Sequence, residues 1–472
     1  MRALLILLNV FFVSFADKPL DATPALSERA IEQREKWNIP TDQLDYPVSH
    51  VYLDSLRAKG AKIFHTSRWM NGATVEMSDS LATVAGSWDF VEQIETIRDE
   101  SSPRPFWTPE RRLIAQTQTI QALPAINQAS EQLQLYNLLP LHQAGFEGQG
   151  IVMAVCDGGF YNANTLDCFR QEELELGHFD FTDDLDDFYG NTGTHGTECL
   201  SAISGITDGY QGAATKAQYY LMRSEENDTE SPKEMYNLIA ALETADSLGV
   251  NIFSVSLGYF VFDNSDWDFT YKDLNGMTAC VSRAATIAAR KGMLVCAAAG
   301  NEGQDTWHYI DIPADADSIL SVGAVGTDSV IAAFSSYGPA SDGRVKPEVC
   351  AVGARSVLIS PQGTIIRSNG TSFATPLLAG MAASLWSALP DENAMQIRER
   401  IIRSADRYYR PDNQYGYGIP DAWKAYTQSP EGTENIPDTS NGQDKCTKIL
   451  RGEQIYILRH GHVYNLGGQR VQ

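Results

Sequence analysis

Apolar residues along this chain gather into short continuous runs separated by amphipathic stretches. Ile151-Val152-Met153-Ala154-Val155-Cys156 is unbroken, which reads as a strand buried on both faces. Gln218 to Met222, Val250 to Ser256, Met293 to Ala297 and Ile319 to Val325 are further strands. Between them, Pro232 to Ser247 and Met277 to Lys291 have the spacing of crossover helices. A parallel sheet demands this alternation, because each parallel connection needs a crossover. The pattern therefore predicts an α/β domain, a three-layer doubly wound and mostly parallel sheet. A last helix, Ser372 to about Leu389, is apolar on nearly every face (Leu377, Leu378, Ala379, Met381, Ala382, Ala383, Leu385) and belongs in the middle of that domain. Pro376 is placed in its first turn, where a missing N–H costs little.

The flanks read differently. Leu4 to Phe15 is apolar, follows Arg2 and ends in Ser14-Phe15-Ala16, which predicts a signal peptide over residues 1–16 cleaved after Ala16. It is too short to span a membrane, and no later segment reaches ~18 unbroken apolar residues. Residues 17–125 form a separate unit and its linker. Val51 to Lys59 and Asp79 to Ser87 are predicted helical; Ala61 to Thr66, Ala73 to Met77 and Phe90 to Thr96 are predicted extended. Ser101 to Gln128 is polar and proline-punctuated, an accessible linker in which Arg111-Arg112 stands out. The main domain takes residues 126–430. In 431–472 a polar linker leads to two β segments, Gly452 to Arg459 and Val463 to Val471, joined by His460-Gly461-His462.

Composition narrows the classes. A formal charge of -24 over 472 residues argues against nucleic acid or anionic membrane as partner, since like charges repel. The seven cysteines are scattered and lack metal-ligand spacing, so most read as buried free thiols. The acidic run Asp180 to Asp187 reads as a solvated loop or as a calcium ligand set of unassigned geometry.

Four elements carry chemistry. In Asn369-Gly370-Thr371-Ser372-Phe373-Ala374-Thr375-Pro376, Ser372 follows a glycine turn at a helix N-terminus, where unpaired N–H groups stabilise negative charge. A helix cap is the ordinary use of such a serine. His195 lies between glycines in Gly193-Thr194-His195-Gly196-Thr197 and opens a second helix. Asp157 closes the 151–156 strand, at the carboxyl end where open α/β sheets place their sites. In Ala297-Ala298-Ala299-Gly300-Asn301-Glu302-Gly303, Asn301 offers a side-chain donor to an oxyanion.

In the order Asp, His, Asn, Ser, these neighbours resemble the subtilisin-like serine peptidases (subtilases). The resemblance covers roughly residues 136 to 428. It includes Ser254-Val255-Ser256-Leu257-Gly258, Ile312-Pro313-Ala314-Asp315-Ala316, Phe334 to Pro339, Lys346-Pro347-Glu348-Val349 and Tyr415-Gly416-Tyr417-Gly418. It implies a secreted serine endopeptidase made as a zymogen, with Asp157, His195 and Ser372 catalytic and Asn301 completing the oxyanion site. Ser256, Leu257, Gly258, Ala298 and Gly300 would bind substrate. It implies protein or peptide substrates, no required cofactor, and calcium as an open alternative. Tyr52 to Leu56, Ser67 to Asn71 and Phe90 to Glu92 resemble the ferredoxin-like propeptides of Bacteroidetes-type subtilases, which implies an intramolecular inhibitor removed by self-cleavage. The C-terminal β segment is similar to type IX sorting segments, the alternative being a hairpin docked on the peptidase. The location implied is secreted or cell surface.

One departure stands out: the family usually places Ser or Thr after the acid, where this chain has Gly158. The rival reading is a catalytically silent peptide-binding protein of the same fold. An α/β-hydrolase esterase lacks its Gly-x-Ser-x-Gly elbow here and has the wrong residue order. Asp311 is either exposed on its loop or set near the floor of the pocket for the residue preceding the cut, where a carboxylate would favour Lys or Arg.

Overall fold

A computed structural model describes residues 8–20, 22–99, 129–169, 174–182, 187–190, 193–226 and 229–428, with the backbone of three C-terminal strands. The chain divides into two units, 1–426 and 427–472. The predicted linkers, Arg111-Arg112, residues 183–186 of the acidic run and the 460–461 turn lie outside the described residues.

The first unit opens with a small antiparallel sheet. Its elements are β1 (Asn9–Phe15), α1 (Glu28–Trp37), α2 (His50–Ala58), β2 (Lys62–Ser67), β3 (Gly72–Met77), α3 (Asp79–Ala85) and β4 (Val91–Arg98), and the strand order is β2-β3-β1-β4. This is the ferredoxin-like arrangement, and β1 is an inner strand bonded to both β3 and β4. The run predicted to be a signal peptide is therefore part of the sheet, and a cut after Ala16 would remove its inner strand. The physical reason is that both faces of β1 are covered. Phe11, Val13 and Phe15 pack into the module's own core with Leu53 and Leu56. Val10 and Phe12 face the larger domain, where Phe12 stacks on Tyr236 at 4.2 Å. A strand buried on two sides has the same continuous hydrophobicity as a leader.

The larger domain contains α4 (Ser130–Leu135), α5 (Leu139–Gln143), β5 (Val152–Asp157), β6 (Glu175–Asp180), α6 (His195–Ser204), the short ribbon β7 (Ile206–Thr207) and β8 (Tyr210–Gln211), β9 (Gln218–Arg223), α7 (Pro232–Leu248), β10 (Ile252–Val255) and α8 (Cys280–Arg290). It continues with β11 (Leu294–Ala298), β12 (Leu320–Val325), β13 (Val349–Val352), the hairpin β14 (Ser356–Ile359) and β15 (Ile365–Ser368), α9 (Thr371–Ala388), α10 (Ala394–Ser404) and α11 (Ala422–Thr427). Seven strands form one sheet in the order β13-β12-β11-β10-β5-β9-β6, every neighbouring pair parallel. Alternate residues of β5 serve two cores. Met153 and Val155 join α6 and α9 on one face; Val152, Ala154 and Cys156 join α7 and α8 on the other. The sheet is thus the middle of three layers, as its unbroken strands predicted. After β5 the chain passes to β6 at one edge, returns through β9 beside β5, and then continues from β10 on the other side, so the strand order reverses between β5 and β10 and their carboxyl ends open the crevice.

The N-terminal module sits on α7 and α8. Arg34 is buried between Asp45 of its own module (2.6 Å) and Asp246 of α7 (2.8 and 2.9 Å). Lys291 reaches Asp45 at 2.8 Å, and Ser67 donates to Glu243 at 2.5 Å. Among the described residues no helix is long and apolar enough to cross a membrane. In the second unit β16 (Cys446–Arg451), β17 (Gln454–Arg459) and β18 (His462–Asn465) form an antiparallel three-stranded sheet. The two later strands were expected; β16 was not.

Candidate active site

Asp157 is the last residue of β5 and fully buried. His195 opens α6 across the crevice and is 4% exposed. The two elements touch because residue 196 is glycine: a Cβ there would lie 2.5 Å from the Gly159 carbonyl and 2.9 Å from Asp157 Cβ. His195 Nδ1 consequently meets both Asp157 oxygens, at 2.9 and 3.0 Å. Burial works against a charged imidazole, but the Asp157 carboxylate and then Cys199 outweigh it and hold the His195 pKa well above its ordinary value. Asp157 Oδ1 also accepts the Gly158 N–H at 2.8 Å.

Ser372 is the second residue of α9. Its Oγ is turned to the Ser256 carbonyl at 3.4 Å, and among the described residues it makes no hydrogen bond to His195. The two residues are nonetheless neighbours. Cys199 Sγ lies 3.8 Å from His195 Nδ1 and donates to the Ser372 carbonyl at 3.3 Å, while the His195 ring packs 5.3 Å from that of Phe373. Burial pushes the Cys199 thiol up to about 11, and it faces the Asp157 side of the imidazole, which suits a packing group rather than a nucleophile.

Pro376 proves to lie beyond the first turn, since α9 begins at Thr371. Its missing N–H is the one that would have bonded the Ser372 carbonyl. That carbonyl is satisfied instead by Ser256 Oγ (2.8 Å) and Cys199, which ties the start of α9 to β10 and α6.

Asn301 follows Gly300, which has φ +111° and turns the chain out of β11 just past Ala298. Its Oδ1 accepts the Thr371 N–H (2.8 Å) and the Thr371 hydroxyl (3.1 Å). An N–H can only donate, so this contact fixes the amide orientation and leaves Nδ2 as the outward donor beside Ser372. Thr371 was not singled out from sequence; its place immediately before the serine was the available signal. Ser256 is buried, Leu257 half-buried and Gly258 exposed, so these three residues form a rim that leaves the sheet for solvent. Asp311 is 5% exposed, which decides between its two predicted positions in favour of burial. Among the described residues one other carboxylate group, Glu225, Glu230 and Glu234, brings three acids together; residues 183–186 of the acidic run are undescribed.

Comparison with known proteins gives a consistent picture. A family model described as "Subtilase family" matches residues 148–418, and one described as "Peptidase S8 propeptide domain, Bacteroidota" matches residues 10–109. Serine protease AprX of Bacillus subtilis (strain 168) is 28% identical over 311 residues, covering 58% of this chain and 66% of AprX. Subtilisin E of the same strain is 29% identical over 282 residues, covering 59% and 66%. A subtilisin of Bacillus pumilus is 29% identical over 282 residues, covering 59% of this chain and 92% of its own. Among solved structures, the MycP3 protease from the type VII (ESX-3) secretion system aligns with TM-score 0.54 at 22% identity, over 67% of this chain and 92% of that one. That likeness is one of fold.

Proposed function

The chain belongs to the subtilase family and carries the family's propeptide domain, and on that footing we propose that it is a serine endopeptidase made as a zymogen. The observation that carries this reading is the pairing of a buried Asp157–His195 couple with a serine at a helix N-terminus beside an oriented Asn301 amide. A turn about the Ser372 side chain moves Oγ from the Ser256 carbonyl toward the imidazole, and such bonds commonly tighten only when substrate is present. His195 then takes the proton as Oγ attacks the peptide carbonyl. Asp157 holds the imidazole by Nδ1 and stabilises its charge. The oxyanion is met by Asn301 Nδ2 and the Ser372 N–H, with the positive end of α9 behind them. His195 returns its proton to the leaving amine, and water repeats the sequence on the acyl-enzyme. Substrate backbone lies along the Ser256-Leu257-Gly258 rim by strand addition, opposite Ala298 and Gly300. Every step uses side chains and backbone of the chain itself. The N-terminal module, docked on α7 and α8, is the intramolecular inhibitor. Export to the cell surface or medium fits a Bacteroidota-type propeptide, with the C-terminal strands as a candidate sorting element.

Ser372→Ala is expected to fold, to keep its propeptide attached and to lose casein hydrolysis. Normal processing of this variant in the absence of any other protease would overturn the reading. A fluorophosphonate separates it from a silent binding protein, because only an activated serine is labelled rapidly.

A further inference from the structure

A carboxyl pair lies behind the nucleophile and takes no part in the steps above. Glu302 and Asp311 are 7% and 5% exposed. Glu302 is engaged: its Oε2 accepts the Asn301 N–H at 2.6 Å and the Ser336 hydroxyl at 3.0 Å. Among the described residues Asp311 Oδ1 is buried and unpartnered, and so is the Trp307 indole nitrogen. Burial and then the Glu302 charge push the Asp311 pKa well above the usual carboxylate range, against a smaller pull from the neighbouring Trp307 indole. Two acids this close hold one proton between them. A buried acceptor with no partner calls for an explanation, since natural folds satisfy most such groups.

Its position supplies one. A Cβ on Gly258 would lie 2.8 Å from Asp311 Cβ and 2.9 Å from Oδ2, and a Cβ on Gly300 would lie 2.5 Å from Asp311 Oδ2 and 2.7 Å from Glu302 Oε2. The pair therefore sits directly behind two glycines. Gly258 ends the rim proposed to hold substrate backbone, and Gly300 precedes the amide proposed to hold the oxyanion. The carbonyl under attack belongs to the residue before the scissile bond, and that residue's side chain must leave between these two segments. The Trp307 ring, whose indole neighbours Asp311, stacks on Phe260 at 4.9 Å, and an aromatic surface of this kind suits an aliphatic stem or a cation.

We propose that Asp311, backed by Glu302, selects Lys or Arg at the position immediately before the scissile bond. The cationic head meets Asp311 Oδ1, and the proton shared by the two carboxyls leaves to solvent, so charge is conserved. An apolar side chain there would leave Asp311 Oδ1 buried without a partner. This inference rests on the peptidase reading.

The test uses the full-length chain after it has matured, with peptide nitroanilides differing only in the last residue: Arg, Lys, Leu or Phe. The expected result is kcat/KM at least tenfold higher for Arg and Lys than for Leu. Asp311→Asn should lower the Arg-to-Leu ratio at least tenfold, chiefly through KM, with partial recovery in Asp311→Glu and a smaller fall in Glu302→Gln. A wild-type preference for Leu or Phe overturns the proposal, as does an unmoved ratio in an Asp311→Asn protein that still reacts with a fluorophosphonate. Saturable binding of p-aminobenzamidine, lost in Asp311→Asn, is also expected; its absence from the wild type overturns the pocket even if no peptide is cleaved. Failure of the peptidase reading would show separately, as a Ser372 that no fluorophosphonate labels.

Discussion

At the scale of single residues, His195 governs how the proposed enzyme should respond to pH. A general base works only when neutral, so activity falls as pH drops through its pKa. Asp157 holds that pKa well above 6.5, so the acidic limb of kcat/KM should lie above pH 6.5 and activity should rise with pH across it. Asp157→Asn should move the limb down and cost on the order of 10⁴ in kcat. Glu198 also titrates above the usual carboxylate range, because burial pushes its carboxyl up to about 7, and it lies on the same helix. A pH series on Glu198→Gln separates the two: its limb should stay where the wild-type limb is. A wild-type limb below pH 6.5 would contradict the Asp157–His195 assignment. The four polar groups of the site were legible because each stands in a short motif of small residues. What the motifs did not convey is which atom faces which. That Asn301 is anchored through Oδ1 by Thr371, and that Pro376 frees the Ser372 carbonyl for Ser256 and Cys199, depends on three segments meeting.

At the scale of elements, β1 is the instructive case. Five of its residues (Val10, Phe11, Phe12, Val13 and Phe15) are no more than 5% exposed. At about 1.5–3 kcal/mol for each buried side chain, they contribute roughly 8–15 kcal/mol, comparable to the whole stability of a small domain. A precursor lacking residues 8–16 is therefore expected to lose the cooperative unfolding of its N-terminal module and become protease-sensitive there. Circular dichroism and limited proteolysis of the two forms would check this; a module that stays folded without β1 would refute it. Five of the seven parallel strands and both crossover helices were visible from their runs, and the structure moves their ends by only a few residues; β13, a four-residue apolar run just after Pro347, was not read as a strand. Three elements gave weaker signals. Helix α1 is mostly charged, β6 is half-exposed at the sheet edge, and β16 follows a polar linker, so none shows a clean apolar period.

At the scale of the whole molecule, the propeptide is held to α7 and α8 by buried charge as well as by apolar surface. Arg34 bridges Asp45 and Asp246, and removing it leaves each of these buried acids with one cation fewer: Lys291 stays on Asp45 and Arg68 on Asp246. Truncating one partner of such a pair typically costs ~2–5 kcal/mol. The Arg34→Ala module, added in trans to the matured enzyme, should therefore inhibit at least tenfold less well, mostly through faster release. An unchanged inhibition constant would place the binding energy elsewhere on the interface.

Sequence by itself determined the layer order, the family and the four groups proposed to react, since these follow from hydrophobic period and from motifs whose spacing is local. Only the tertiary structure decided that the first apolar run is a strand, that Asp311 is buried beside Glu302, and that Ser372 rests on Ser256 in the free protein. Each of those outcomes turns on what covers a residue from elsewhere in the chain. A run of apolar side chains, or a lone carboxyl on a loop, reads the same whether its cover is lipid, solvent or another layer of the fold.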